Sequence, residues 1–274
     1  MIHSRLGCST ISFRYLGLED ALASIREIGF AEIDLGALPG VCDHVPYELD
    51  GPGVDAVART LTDSGLRVRS INGDIGDLNK PLDAVQRAGR DSHLDLLLTL
   101  AAATDARALV LPCGALDHQP VTSMEADLAR VADELTRAAD RAEHYGVEIW
   151  TESLHFCRLC CNLERAQQLT TRLADSAVRI VMDFSHVVAS GGDPHEFVER
   201  FAPRISHVHI RDAVPGNINL SVGNGEVDFA GGLKTLADAG YTGHFALELE
   251  TRDITDDQRP SATARAAQLI SELI

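Results

Sequence analysis

A (β/α)8 barrel is the α/β fold class that this sequence predicts, and three observations predict it. Eight short apolar segments of strand character alternate with longer segments of helical periodicity along the whole chain. Helical segments repeatedly run into a glycine just before the next strand, the position where a left-handed residue ends a helix. The length, 274 residues, matches eight such units, and no shift in composition divides the chain, so one domain over 1–274 is expected. This alternation calls for a parallel sheet covered by helices. A doubly wound open sheet is the structural competitor. Against it, GCSTISFRYLG after the first strand lacks the G-x-G-x-x-G phosphate fingerprint.

The strand segments, in order, are RLGCSTIS (5–12), AEIDLG (31–36), LRVRSING (66–73), RALVLPCG (107–114), VEIWTES (147–153), VRIVMDFSH (178–186), RISHVHIRD (204–212) and HFALELE (244–250). Between them lie helical patterns such as LEDALASIREIG, MEADLARVADELTRAADRAEHYG and AGGLKTLADAG. Gly29, Gly65, Gly146 and Gly240 mark four helix ends. Thr122 with Glu125 three residues on reads as a capping box that starts the long central helix. The tail ISELI closes the last one.

A formal net charge of −17 argues against binding a nucleic-acid backbone or an anionic membrane surface, both of which need clustered Lys and Arg. No apolar run approaches bilayer length, and MIHSRLGCSTISF has neither the apolar core nor the cleavage site of a signal peptide. The six cysteines therefore read as thiols in a reducing compartment, and the expected location is the cytoplasm.

In such a barrel, polar residues at the C-terminal strand ends build the active site. Strand five ends with Glu152, strand six with Asp183 and then His186, strand seven with His209, and strand eight with Glu248. Side chains of a strand alternate faces, so His207, His209 and Arg211 share one face while Val208 and Ile210 take the other. Glu152, Asp183, His209 and Glu248 can all point into the barrel mouth. Three carboxylates converging without a cation would repel one another. One divalent cation resolves that conflict. Oxygen ligands with one imidazole suit Mn²⁺ or Mg²⁺, with Co²⁺, Fe²⁺ or Zn²⁺ as other occupants. His207, two residues deeper, reads as a supporting or core-filling histidine.

These motifs resemble a known family. E-x-x-H (Glu152, His155), D-x-x-H (Asp183, His186) followed by GGDP, then HVHIRD, GNGEVDF and GYTGHFALELE occur in the order and spacing of the xylose-isomerase-like TIM barrels. In particular they resemble the sugar phosphate isomerase/epimerase group, which includes ketose 3-epimerases, inosose dehydratases and hydroxypyruvate isomerases and is related to endonuclease IV. The resemblance implies that Glu152, Asp183, His209 and Glu248 hold one metal and that His186 contacts a substrate oxygen. For the epimerase branch it also implies that Glu152 and Glu248 act as an acid/base pair on opposite faces of the substrate, and, since barrels of this family are often dimers or tetramers, it leaves a homo-oligomer open. Members often place an Arg or His before the G-x-G-x-x-D-F loop to grip substrate; here Asn219 stands nearest, with no basic residue. The extra histidines of a trinuclear zinc cluster are missing, since strand three ends in Asn72 and strand four in Pro112–Cys113.

Other residues keep two readings. His155 either hydrogen-bonds substrate or covers the loop, and Arg211 either binds substrate or pairs with acids across the mouth. HFCRLCCN offers only one C-x₂-C knuckle, so Cys157, Cys160 and Cys161 read as loop packing rather than a zinc site. Trp150 reads as barrel filling, and GNGEVDF as a turn into the helix at Phe229. The expected function is a metal-dependent isomerase or epimerase of a sugar or polyol-derived ketone, unphosphorylated because no basic cluster is evident. A lyase on the same substrates and a sugar-binding barrel without turnover are the alternatives.

Overall fold

The computed structural model describes all 274 residues. Eight parallel strands close into a barrel: β1 (Leu6–Ser9), β2 (Glu32–Ala37), β3 (Arg67–Gly73), β4 (Ala108–Pro112), β5 (Glu148–Glu152), β6 (Arg179–Asp183), β7 (Ile205–Ile210) and, after an antiparallel hairpin of β8 (Asp212–Val214) and β9 (Asn217–Leu220), β10 (His244–Leu247). Their order around the barrel is β1-β10-β7-β6-β5-β4-β3-β2. Outside run α1 (Leu18–Ile28), α2 (Gly51–Ser64), α3 (Ala84–Ala103), α4 (Met124–Glu143), α5 (Leu163–Arg172), α6 (Phe184–Ala189), α7 (Pro194–Phe201), α8 (Phe229–Asp238) and α9 (Arg259–Ser271). The expected (β/α)8 TIM barrel is therefore the fold. No helix is long and apolar enough to cross a membrane.

All eight expected strands are present, most of them shorter than their segments. The reason is that strand ends hand over to caps. Asp183 ends β6 and at once caps α6, its Oδ1 accepting from Ser185 N (2.6 Å) and His186 N (3.3 Å). Phe184, Ser185 and His186 are thus helical, not part of a strand running to 186. The strand expected to reach 212 likewise stops at Ile210, and Asp212 leaves for the hairpin. The Asp212 carboxylate then accepts from the backbone N–H groups of Gly223, Gly225 and Val227, which folds GNGEVDF into the turn before α8. Gly225 has no room for a side chain there, since a Cβ would lie 2.2 Å from Asp212 Oδ1.

The central helix does not start at Thr122. Ser123 is the cap, its Oγ accepting from Ala126 N at 3.2 Å. The buried Asp127 takes Val121 N and Thr122 N at 2.7 and 3.2 Å and holds Thr122 outside the helix. Ser123→Ala is expected to cost about 1 kcal/mol in urea unfolding, the usual value of a lost cap, and Thr122→Ala under about 0.5; equal costs would restore the capping box. Gly29 and Gly65 cap α1 and α2 with φ of +106° and +72°, whereas Gly146 and Gly240 lie past the ends of α4 and α8, in the turns that follow.

Outward strand residues such as Ile149, Val208, Ile210 and Leu247 join the core between barrel and helices. Inside the barrel, Trp150 packs with Ala108, Val110 and Val181. Its ring lies 5.4 Å from that of His207, and its Nε1 donates to Glu148 Oε2 at 2.8 Å. The interior is plugged at this level, so the open space lies above it, at the C-terminal strand ends.

Candidate active site

The parallel register places Asp183 opposite His209 and His209 opposite Ala246, with Glu248 two residues further on the same inward face. Ligand atoms of Glu152, Asp183, His209 and Glu248 all lie within 4.8 Å of one another, and all four residues are buried. His209 Nδ1 stands 3.2 Å from Glu152 Oε1 and 3.4 Å from Glu248 Oε2. Three carboxylates and one imidazole nitrogen, closing on one point from four consecutive barrel strands or their ends, fit a divalent cation.

The surroundings hold these groups in place. Asp183 Oδ1 takes two N–H groups and the Ser185 hydroxyl (2.6 Å), and its Oδ2 accepts from Arg211 Nη2 at 3.1 Å. Arg211 is 2% exposed; it also donates from Nε to Ser185 Oγ (2.9 Å) and lies 3.8 Å from Glu248 and 3.7 Å from Glu250. Of its two readings, pairing across the mouth is the one the contacts display. Asn72, from the end of β3, donates to Glu248 Oε1 at 3.0 Å.

Electrostatics separate the two glutamates. Burial, with the Glu248 and Asp183 carboxylates, pushes Glu152 up to about 7. Burial also raises Glu248, but the His209 ring and the Arg211 guanidinium outweigh it and hold that carboxyl below its usual value. Burial opposes charge on His209, yet Glu248, Asp34 and Glu152 together keep its proton on well above the ordinary range.

His155 and His186 stack beside Glu152, ring centroids 3.8 Å apart. Two consecutive backbone amides fix them: Phe156 N donates to His186 Nδ1 (3.1 Å) and Cys157 N to His155 Nδ1 (3.2 Å). His155, accepting at Nδ1, therefore carries its proton on Nε2, whereas His186 meets a donor at each ring nitrogen, Phe156 N at Nδ1 and Arg211 Nη2 at Nε2, and a neutral ring accepts from only one of them. Arg211 Nη2, which can only donate, lies 3.1 Å from both His186 Nε2 and Asp183 Oδ2. The two Nε2 atoms lie 3.7 and 3.8 Å from Glu152 Oε2. Burial first, then His186 beside His155 and Arg211 beside His186, lowers both well below the usual histidine range. Both rings stay neutral at the floor of the site, where His155 offers an Nε2–H.

Above this floor opens a cavity of about 370 Å³. Glu152, His155, His186, Arg211, Asn219 and Glu248 all line it. Asn219, from the hairpin, donates to Glu250 O (2.9 Å) and accepts from Arg252 Nε (3.3 Å). Sequence reasoning missed two basic residues in the walls, Arg158 and Arg252. Arg158 is buried and bonds Gly114 O (2.9 Å) and Asp74 Oδ2 (3.0 Å). It sits within HFCRLCCN, where the cysteines were the more conspicuous signal. All six cysteines are free thiols, and none belongs to a group of three metal-ligand atoms. Asp34, on β2, was also missed; it lies within AEIDLG rather than at a strand end, and it bonds His207 inside the barrel at 2.6 Å.

Known proteins agree with this architecture. Residues 22–273 match the model of the family described as xylose isomerase-like TIM barrel. An inosose dehydratase of Lacticaseibacillus casei is 26% identical over 139 residues, 44% of this chain and 46% of that protein. The chain spans less than half the length of the curated relatives it matches. Among solved structures, the 3-keto-D-glucoside 4-epimerase YcjR of E. coli superposes with a TM-score of 0.76 at 18% identity, covering 98% of this chain and 99% of that one. The IolI protein with a zinc atom superposes at 0.79, also at 18% identity, over 98% and 99% of the two chains. At that identity the likeness is one of fold. The family match, covering nearly the whole chain, carries the assignment: the protein belongs to the xylose isomerase-like TIM barrel family.

Proposed function

We propose that the protein is a divalent-metal-dependent isomerase or epimerase of a sugar or polyol-derived ketone. One observation carries the reading: two glutamates that line a cavity of about 370 Å³ share a buried four-ligand cluster with Asp183 and His209. A divalent cation held by Glu152, Asp183, His209 and Glu248 supplies charge stabilisation for the oxyanion that develops when a C–H next to a carbonyl loses its proton. Mn²⁺ or Mg²⁺ suits the oxygen-rich set best. The zinc atom of IolI supports a divalent occupant.

Glu152, at the end of β5, and Glu248, just past β10, serve as the acid/base pair in this reading, one to take the proton and the other to return it. His155 donates an N–H bond to a substrate oxygen, and His186 contacts another. A backbone amide occupies Nδ1 of His155, so that ring is not arranged to shuttle a proton, and in this reading proton traffic falls to the glutamates. Arg211 and Asn219 complete the substrate wall, Arg211 chiefly by holding Asp183. The expectation of an unphosphorylated substrate stands in this reading, since Arg158 and Arg211 already face carboxylates.

A lyase is the second reading, favoured by the inosose dehydratase among the sequence relatives. The same proton loss then expels a β-substituent, whose oxygen takes hydrogen bonds from His155 or His186. Proton NMR in D₂O on free ketoses, inososes and 3-keto-glycosides tests both. Deuterium next to the carbonyl with a new epimer or isomer establishes the first reading. An enone or a free aglycone establishes the second. No exchange with any substrate, with the cation confirmed bound, rejects both and leaves a sugar-binding barrel.

Cation affinity is expected to rise with pH through about 7. Binding needs Glu152 ionised and the His209 Nδ1 lone pair free, and both groups hold their protons above their ordinary values. Those protons compete at low pH and must leave on binding. Calorimetry in two buffers of different ionisation enthalpy, near pH 6, should register roughly one or more protons released per cation. Affinity independent of pH would contradict this.

A further inference from the structure

We infer that Asp34 is the positioning residue of the candidate metal centre, holding the His209 ring with Nδ1 toward the other three ligands and the ring proton on Nε2. The inference rests on the cation reading above and adds a residue to it. Asp34 lies on β2, across the barrel from β7, and is 1% exposed. Its Oδ2 accepts from His207 Nε2 at 2.6 Å and stands 3.4 Å from His209 Nε2.

His209 Nδ1 faces Glu152 and Glu248, so Nδ1 is the ligand atom. A neutral imidazole that offers its Nδ1 lone pair carries its proton on Nε2, and that proton needs a buried acceptor. Asp34 is the acceptor that faces it. At 3.4 Å the pair is not yet aligned as a hydrogen bond, and His209 Nε2, Asp34 Oδ1 and His207 Nδ1 are all buried without partners. Nε2 is thus an unpartnered buried group aimed at a carboxylate, and a shift of a few tenths of an ångström completes the bond.

His207 braces the arrangement. Its ring packs on Trp150 and meets the His209 ring edge-on, at 89° and 5.2 Å between centroids. One carboxylate therefore serves two imidazoles that stand two residues apart on the same face of β7. That accounts for a strand whose inner face is lined with histidines: one is the ligand, the other fixes the carboxylate that orients it. A carboxylate behind a metal-bound imidazole sets its tautomer and raises its basicity, and losing it typically lowers metal affinity by about 10–100-fold.

The test uses the full-length protein and Zn²⁺, a diamagnetic probe, with Asp34→Asn as the variant. In wild type, ¹⁵N-imidazole NMR of the Zn²⁺-loaded protein should show His209 protonated at Nε2, with a downfield, exchange-protected proton. In Asp34→Asn that proton should move upfield and lose protection, and calorimetric Zn²⁺ affinity should fall about tenfold or more. Unchanged affinity with an unchanged Nε2–H signal overturns the inference and leaves the cation reading intact. Failure of wild type to bind Zn²⁺, Mn²⁺ or Mg²⁺ overturns both. Should Asp34→Asn not fold, Asp34→Glu decides, since it keeps the charge and moves the carboxylate: the His209 Nε2–H signal of the Zn²⁺-loaded protein should shift and Zn²⁺ affinity fall. An unchanged signal with unchanged affinity in that variant overturns the inference.

Discussion

Replacing Glu248 or Glu152 by Gln is expected to lower the rate of substrate C–H exchange by at least about 10²–10⁴-fold with the fold preserved, the usual contribution of a positioned acid or base. The amide keeps the shape of the side chain, and at position 248 it still offers Asn72 an acceptor. It cannot take a proton at neutral pH. The loss should therefore fall on kcat and persist at saturating cation. Asp183→Asn is the control, since it weakens a ligand without removing an acid or base from the proposed pair. Its deficit should shrink as cation is raised. Circular dichroism and deuterium exchange at several Mn²⁺ or Mg²⁺ concentrations give the comparison. If Glu248→Gln and Glu152→Gln both recover at high cation as Asp183→Asn does, the glutamates are ligands only and the acid/base assignment fails.

The second large effect concerns stability. Arg211→Leu is expected to cost about 3–5 kcal/mol, because it leaves buried carboxylates facing one another without their cation. Asp183 loses its 3.1 Å partner, Ser185 its 2.9 Å partner, and Glu248 and Glu250 their nearest guanidinium. A typical domain has only about 5–15 kcal/mol in all. The sign with pH follows. Unpaired buried carboxylates have folded-state pKa values raised above their unfolded ones, so the deficit grows as pH rises through that range and shrinks on acidification. Added Mn²⁺ or Mg²⁺ should restore part of the loss by binding the folded state. Urea unfolding at about pH 5 and pH 8, with and without the cation, measures this. A cost under about 1 kcal/mol at both would show that Arg211 does not hold the site together.

Why the four candidate ligands were open to sequence reading, and other site residues were not, has a physical basis. Period-2 alternation fixes which strand residues face inward, and a barrel brings its C-terminal strand ends to one mouth, so Glu152, Asp183, His209 and Glu248 converge in the structure as expected. Alternation cannot say where a strand stops. Asp183 is both a strand end and a helix cap, which moves His186 onto α6 while leaving it within reach of Glu152. The β8–β9 hairpin escaped notice because HIRDAV continues the strand pattern of β7, and the departure is driven by the long-range Asp212 bonds to Gly223 and Gly225. Arg158 and Asn72 enter the site through partners 84 and 176 residues away. Asp34 meets His207 across 173 residues. Such pairings exist only once the barrel closes, and no local pattern announces them.

One measurement bears most directly on the centre of this account: anomalous diffraction from crystals grown with Mn²⁺ or Zn²⁺. The expected result is a single strong peak about 2.0–2.3 Å from oxygen atoms of Glu152, Asp183 and Glu248 and from His209 Nδ1. A peak on Cys113, Cys157, Cys160 or Cys161 instead, or none between the four residues at saturating cation, would contradict it.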